Sequence, residues 1–290
     1  EEEEDEEPFG GPREEDEEAE EEEERAAEDG VEEERWPVLT EAGAVQRRED
    51  SGRRRMVVSI LSWNADGLQN KGKLNGFMAQ LRSDMVCLQE TKWDEGAVRE
   101  IERKWHYKVV VAVGPQGKAD VAIMVKKHRV CEVTCVYKRE EGRVLVVDVI
   151  CDSQRIRLMS IHAPNEDSAR RDFFTSLVKW CTHTTIIMGD WNVVLEKQDV
   201  GVHNKYGNDV SRKTVLNLMS AGKLVDVWRM LHPNITAFSR RQIILGKMKQ
   251  SRIDFSLISD DLIRRVERCG YEFNRWSDHA AMTLVGGGQN

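Results

Sequence analysis

From Met56 onward the chain is cut into short apolar, β-branched runs of strand length, and several of them end in a cluster of polar residues. Met56–Trp63, Met85–Leu88, Lys108–Val113, Val121–Val125, Val144–Ile150, Ile156–Ile161, Thr185–Met188 and Ile253–Ile258 each read as a strand bounded by turn residues. Helical patterns lie between them. Leu74, Phe77, Met78 and Leu81 keep the i, i+3, i+4, i+7 spacing, and Phe173, Phe174, Leu177, Val178 and Cys181 form a similar face. A third helix starts at Ser211, runs through Val215, Leu216 and Met219, and stops at Gly222. Many strands, few helices and no fixed repeat predict one α+β domain over 56–285, in which two packed sheets flanked by helices bury the core.

Charge divides the rest of the chain. The net charge of −9 is an average of two unlike parts. Residues 1–35 hold 22 Asp or Glu against Arg13, Arg25 and Arg35, which leaves +10 for residues 36–290. So acidic a segment has almost nothing to bury and is expected to be disordered. It could compete with nucleic acid for a basic surface, although a solvating tail without a specific role is the simpler reading. Residues 1–55 are thus expected to be an acidic disordered tail and a basic linker, and 286–290 a flexible C-terminus. Arg47-Arg48 and Arg53-Arg54-Arg55 suit nuclear import or phosphate contact, or are a solvated basic stretch.

No apolar run approaches the ~18–20 residues that cross a bilayer, and no secretory signal is visible. The six Cys lack zinc spacing and read as reduced, buried thiols of an intracellular, nuclear protein that does not engage membranes. Because the chain opens on Glu1, it is expected to be a fragment or an incomplete start.

Polar residues at strand ends cost stability unless they serve a site. Ser62-Trp63-Asn64-Ala65-Asp66-Gly67-Leu68, Leu88-Gln89-Glu90-Thr91-Lys92, His162-Ala163-Pro164-Asn165, Gly189-Asp190-Trp191-Asn192, and Ser251-Arg252-Ile253-Asp254 with Ser277-Asp278-His279 stand out. Singly, each has a plain explanation as a turn corner, an exposed strand end or a satisfied core histidine. Together, carboxylates, amides and a histidine at strand ends suit metal-assisted phosphoryl chemistry.

In order and context these blocks resemble the endonuclease/exonuclease/phosphatase superfamily, from about Met56 to Leu284. The segment Leu224-Val225-Asp226-Val227-Trp228-Arg229 with His232-Pro233 is more similar to the endonuclease domain of LINE-type (non-LTR) retrotransposons than to exonuclease III-like repair enzymes. The resemblance implies a four-layer αββα sandwich, DNase I-like, and a Mg²⁺-dependent site, with Mn²⁺ as a substitute. It implies Glu90 as principal metal ligand, with Asp66, Asn64 and Asp278 in support. Asp190 would orient or deprotonate the attacking water, and Asn192 and Asn165 would donate to the phosphate and nucleophile. His279, held charged by Asp254, would contact the scissile phosphoryl oxygen. No covalent intermediate is implied.

Three positions depart from the family pattern. His162 stands where Tyr is common, and Ala119-Asp120 replaces glycines, adding a carboxylate expected to weaken DNA binding. Ser251 replaces the Trp that lines the pocket of abasic-site enzymes. Lys126, Lys127, Arg240 and Arg241 are candidate phosphate contacts, and Phe238–Gln250 is expected to be a loop near the site that enters a groove. The leading expectation is a DNA-nicking endonuclease of a LINE-type element that leaves a 3′-OH and a 5′-phosphate, as a detached or truncated endonuclease module. The alternatives are an exonuclease III-like AP endonuclease and 3′-5′ exonuclease of DNA repair, a phosphatase on a small-molecule or lipid substrate, and a decayed nucleic-acid-binding module.

Overall fold

The computed structural model describes residues 57–130, 132–151 and 154–287. The acidic tail, the basic linker and residues 288–290 lie outside the described residues, so the expectations placed on them are not addressed. Contacts divide the chain at Arg53/Arg54, and every described residue belongs to the second unit.

Strand alternation builds the core. In β1 (Val57–Asn64), β2 (Met85–Gln89), β3 (Tyr107–Val113) and β4 (Ala119–Lys126), successive side chains point to opposite faces. Met85 and Cys87 of β2 therefore join one hydrophobic cluster, while Val86 and Leu88 join another. The second six-stranded sheet repeats the pattern. It contains β5 (Glu132–Lys138), β6 (Val144–Cys151), β7 (Gln154–His162), β8 (Thr185–Asp190) and β9 (Leu224–Asp226). In β6, Leu145, Val147 and Val149 face the first sheet, and Val144 and Val146 face away.

The helices cover the outward faces. α1 (Lys71–Gln80) and α2 (Glu95–Lys104) place Phe77, Met78 and Ile101 over the first sheet. α3 (Asp167–Leu177) and α4 (Arg212–Gly222) place Phe173, Phe174, Leu177, Val215 and Leu218 over the second. The layers are α, β, β and α, as the resemblance implied. α5 (Val227–Leu231) and α6 (Asp260–Ile263) fill the space between the sheets at one edge with Val227 and Leu262.

Three further pairings complete the fold: β10 (Arg240–Ile244) with β11 (Lys247–Ser251), β12 (Asp254–Ser259) with β8 and β9, and β13 (Val266–Glu272) with β14 (Ala281–Gly287). The first sheet runs β13-β14-β1-β2-β4-β3 and the second β5-β6-β7-β8-β12-β9.

The structure corrects several sequence expectations. Phe238–Gln250 is not a loop but carries the β10–β11 hairpin, closed by left-handed Leu245 (φ 50°) and Gly246 (φ 67°). β14 extends to Gly287, so Gly286 and Gly287, expected in a flexible C-terminus, pair with Val58 and Val57. The third helix ends at Gly222 as expected, and the left-handed residue that caps it is Lys223. α2 and the edge strand β5 escaped the periodicity because their faces are mostly charged or exposed.

Candidate active site

β1 and β2 are parallel, as are β7 and β8. Their C-terminal ends therefore deliver Asn64, Glu90, His162 and Asp190 to one rim, where antiparallel β12 begins at Asp254 and β14 is preceded by His279. His162 and Asp190 are register partners across β7 and β8, and Asp190 pairs in turn with Asp254. This close approach depends on Gly189 (φ 151°), where a Cβ would overlap the Ile161 carbonyl oxygen. The tryptophans of the two motifs are anchors. Trp63 Nε1 donates to His279 O (3.1 Å) and stacks on Phe77, while Trp191 Nε1 donates to Phe255 O (2.9 Å) and stacks on Phe255.

The rim holds unusual backbone. Asp66, Glu90 and Asn192 all occupy the left-handed region, at φ 46°, 53° and 50°. Such conformations cost about 1–3 kcal/mol each and persist where the surroundings impose them. For Asp66 and Glu90 the imposing contacts are ladder-like bonds beyond the strands: Ala65 N to Gln89 O, Gly67 N to Glu90 O and Leu68 N to Thr91 O. They run the 64–68 segment alongside 89–91.

Asn64, buried at 1% exposure, ties the two halves of the site together. Its Nδ2 donates to Glu90 Oε1 (3.0 Å) and to Asp190 Oδ2 (2.9 Å). Two imidazoles approach Asp190 Oδ2 by Nε2, His279 at 3.9 Å and His162 at 4.0 Å. Each Nδ1 is held by a carboxylate at 2.8 Å, Asp254 for His279 and Asp120 for His162. His162 Nε2 also lies 3.7 Å from Glu90 Oε1.

The charges follow from this geometry. Burial opposes the charged form of His279, but Asp254, with Asp190 and Asp278 behind it, raises its pKa to about 9. Burial likewise opposes protonation of His162, and the bond and charge of Asp120 with the charge of Asp190 more than reverse that. Asp190 is pushed upward by burial and by the Asp254 charge, against the pull of the two histidines and Asn64. A buried carboxylate of raised basicity, facing two imidazoles, is suited to take a proton from water.

The donor set fits a hard divalent cation. Glu90 offers a partly exposed carboxylate and Asn64 an amide, and such cations take oxygen ligands from one or two carboxylates. The four expected metal residues do not close into one tight group. Among the described residues the acid–histidine group with ligand atoms within 4.8 Å is Asp190, Asp254 and His279, in which His279 and Asp254 are bonded to each other and Asp190 to Asn64 and Asn192. Asp66 points outward, and Asp278 is held by Arg240 (Nε–Oδ2, 3.1 Å). Asn192 donates its Nδ2 to Ala163 O (2.8 Å) and its backbone N–H to Asp190 Oδ1 (3.0 Å), whereas Asn165 is exposed.

The basic candidates separate. Arg240 heads the hairpin and bridges to His279, and Arg241 stacks on Phe273 at 4.2 Å, so both border the rim. Lys126 and Lys127 do not. β4 runs antiparallel to β2, which places its C-terminal end at the opposite rim, where Lys126 reaches Asp84 (3.9 Å) and Lys127 Nζ donates to Glu102 O (3.0 Å).

Sequence reasoning missed Ser239 and Arg170. Ser239 Oγ donates to Asp254 Oδ2 (2.7 Å) and accepts from the N–H groups of Ile253 and Asp254, fixing the carboxylate behind His279. Arg170 is buried and holds the carbonyls of Pro164 and Asn165 and the Asp209 carboxylate. Neither lies in a polar strand-end cluster, so no local signal marked them. The DVWR block proved to be structural. Asp226 and Asp199 clamp the fully buried Arg252, and Asp199 also receives Arg229.

The chain is a two-sheet sandwich with helices on its outer faces and acid–histidine pairs gathered on one rim. Residues 61–279 match the Endonuclease/Exonuclease/phosphatase family, and the chain belongs to it. It is a hydrolytic enzyme of the nuclease class. The chain is 27% identical over 237 residues to the transposon TX1 uncharacterized 149 kDa protein of Xenopus laevis, a match covering 79% of this chain but 18% of that protein. It is 23% identical over 261 residues to the exodeoxyribonuclease of Bacillus subtilis, covering 79% of this chain and 99% of the relative. Among solved structures, the AP endonuclease LMAP from Leishmania major shares the fold with a TM-score of 0.66 at 22% identity, over 81% of this chain and 89% of that one. The endonuclease domain of TRAS1, a telomere-specific non-LTR retrotransposon, shares it with a TM-score of 0.59 at 18% identity, over 79% and 98%.

Proposed function

We propose that the protein is a divalent-cation-dependent, DNA-nicking phosphodiesterase of the retrotransposon endonuclease type, acting on duplex DNA in the nucleus. The observation that carries this reading is the bridge from Asn64 to both Glu90 and Asp190, flanked by two carboxylate-backed imidazoles. Glu90 and Asn64 would hold the cation, Mg²⁺ or Mn²⁺, with Asp66 and Asp278 acting from farther out. When bound, it supplies charge neutralisation for the phosphate and its leaving oxygen.

The chain's own residues do the rest. Asp190 takes the proton of the attacking water, and Asn64 Nδ2 holds the carboxylate oxygen that receives it. Protonated His279 and His162 present Nε2–H donors on the same side, where negative charge gathers on the phosphoryl oxygens. Asp254 and Asp120 keep those rings oriented. Asn192 orders the Asp190 carboxylate through its backbone N–H. Asn165, exposed beside the rim, is the amide free to reach a phosphate. Arg240 and Arg241 border this side, and the hairpin they begin carries Ile243 and Leu245, 71% and 95% exposed, outward as a tip shaped for a groove.

A repair exonuclease is the second reading, favoured by the match to nearly the full length of the exodeoxyribonuclease. Nicking of supercoiled plasmid with Mg²⁺ or EDTA tests the first, alongside Asp190→Ala and His279→Ala. Mg²⁺-dependent nicking lost in both variants is expected. Cleavage confined to an abasic duplex, or stepwise removal of 3′ nucleotides, would move the assignment to repair, and DNA binding without turnover would leave a binding module.

A further inference from the structure

Behind Asn192 the loop that leads to α4 frames an open cavity of about 250 Å³. Its walls include Asn192, Lys205, Tyr206, Asn208 and Arg212. Arg212 is set in place before anything binds. Its Nε donates to Val194 O (2.7 Å), one terminal nitrogen donates to Gly207 O (3.0 Å), and the guanidinium lies 4.2 Å from the centre of the Tyr206 ring. Tyr206 is itself fixed by its hydroxyl on Leu195 O (3.0 Å) and keeps 39% of its surface exposed.

Among the described residues no carboxylate lies within 4.0 Å of either Arg212 or Lys205. The acid in the wall, Asp209, is already committed to Arg170, at 2.7 Å, and to the Ser211 hydroxyl and N–H. The cavity therefore combines two unpaired cations, one of them rigid, with amides and an open aromatic face. That set suits a phosphodiester with its sugar, because a guanidinium recognises phosphate by directed donors and an aromatic ring packs against the sugar. It opens beside Asn192, whose backbone N–H holds the Asp190 carboxylate.

We propose that this cavity is a subsite for a backbone phosphate of the substrate strand flanking the scissile bond. The proposal rests on the nuclease reading above. In it, Arg212 and Lys205 take the phosphate and Tyr206 supports the adjoining deoxyribose, so the strand is gripped on the α4 side while the hairpin grips it on the other.

Duplex affinity is measured in EDTA as a function of salt for wild type, Arg212→Gln, Lys205→Gln and Lys179→Gln. Lys179 follows the far end of α3, away from the rim, and serves as a control. Loss of one phosphate contact lowers the salt slope by about 1, and loss of a charge-assisted bond weakens binding about tenfold. Both effects are expected in the Arg212 and Lys205 variants and neither in the control. In the same assay a neutral methylphosphonate is walked along the strand on both sides of the nick. One flanking position should weaken wild type but add no penalty in the Arg212 or Lys205 variant.

Unchanged slopes in both variants, or methylphosphonate penalties equal to wild type at every position, overturn the subsite. Because Arg212 also braces the loop, the exposed Lys205 decides if the Arg212 variant does not fold. A wild type that nicks DNA while the subsite test fails leaves the proposed function standing. A wild type that neither binds nor nicks DNA removes that function first.

Discussion

Asp120 accepts a 2.8 Å hydrogen bond from His162 Nδ1, so two of the three positions at which the sequence departs from its family's pattern are partners. The Asp120 carboxylate, expected to repel DNA, is directed at the imidazole and sets its orientation. It leaves Nε2 facing Glu90 and Asp190. His162→Ala should lower the nicking rate by about 10²-fold, and Asp120→Asn by less. Their double variant should match the worse single variant, because both remove one unit. Additive losses in single-turnover rates would show that they act separately.

The second pair sets a pH dependence. The folded-state pKa of His279, raised from 6.5 to about 9, means that the charged pair with Asp254 stabilises the fold fully below pH 6.5 and loses that contribution as pH rises through 9. The stability difference between wild type and His279→Gln should reach about 3 kcal/mol near pH 6 and shrink toward pH 10. Denaturant titrations at several pH values measure it. Activity should fall over the same alkaline range, and also on the acid side where Asp190 becomes protonated.

Glu90→Gln keeps the size and the bond to Asn64 but removes the charge. Divalent-cation affinity should drop at least about tenfold with little change in stability. Mn²⁺ binding followed by its paramagnetic signal reads this without turnover, and unchanged affinity would place the cation elsewhere.

Arg252 is fully buried between Asp199 and Asp226 and holds the start of β12, from which Asp254 reaches His279. Arg252→Ala leaves buried carboxylates uncompensated and should cost about 3–5 kcal/mol. A loss under 1 kcal/mol in urea unfolding would contradict that role.

Ser239→Ala tests a residue with no motif around it. Without its hydroxyl, Asp254 loses one donor and the N–H groups of Ile253 and Asp254 lose their acceptor. Activity should fall about tenfold or more, and His279 should titrate differently by NMR.

The sequence by itself determined the interior strands β1, β2 and β4 of the first sheet and β6, β7, β8 and β12 of the second, because their apolar, β-branched runs suit burial on a pleated surface, whereas interior β14 carried no run it could mark. It also marked the strand ends that the fold brings to one rim, since buried or strand-terminal Asn64, Glu90, His162, Asp190, Asp254 and His279 are costly without a purpose. Tertiary structure decided what those residues do to one another. The partnership of Asp120 with His162 spans a sheet-to-sheet contact, and Arg170 and Ser239 act through bonds to distant backbone that leave no periodic trace. It also separated charges that look alike in sequence. Arg240 meets Asp278 at the rim that gathers Glu90, Asp190 and His279, while Lys126 lies at the opposite one, because strand direction, not residue type, assigns a side chain to an end of the sheet.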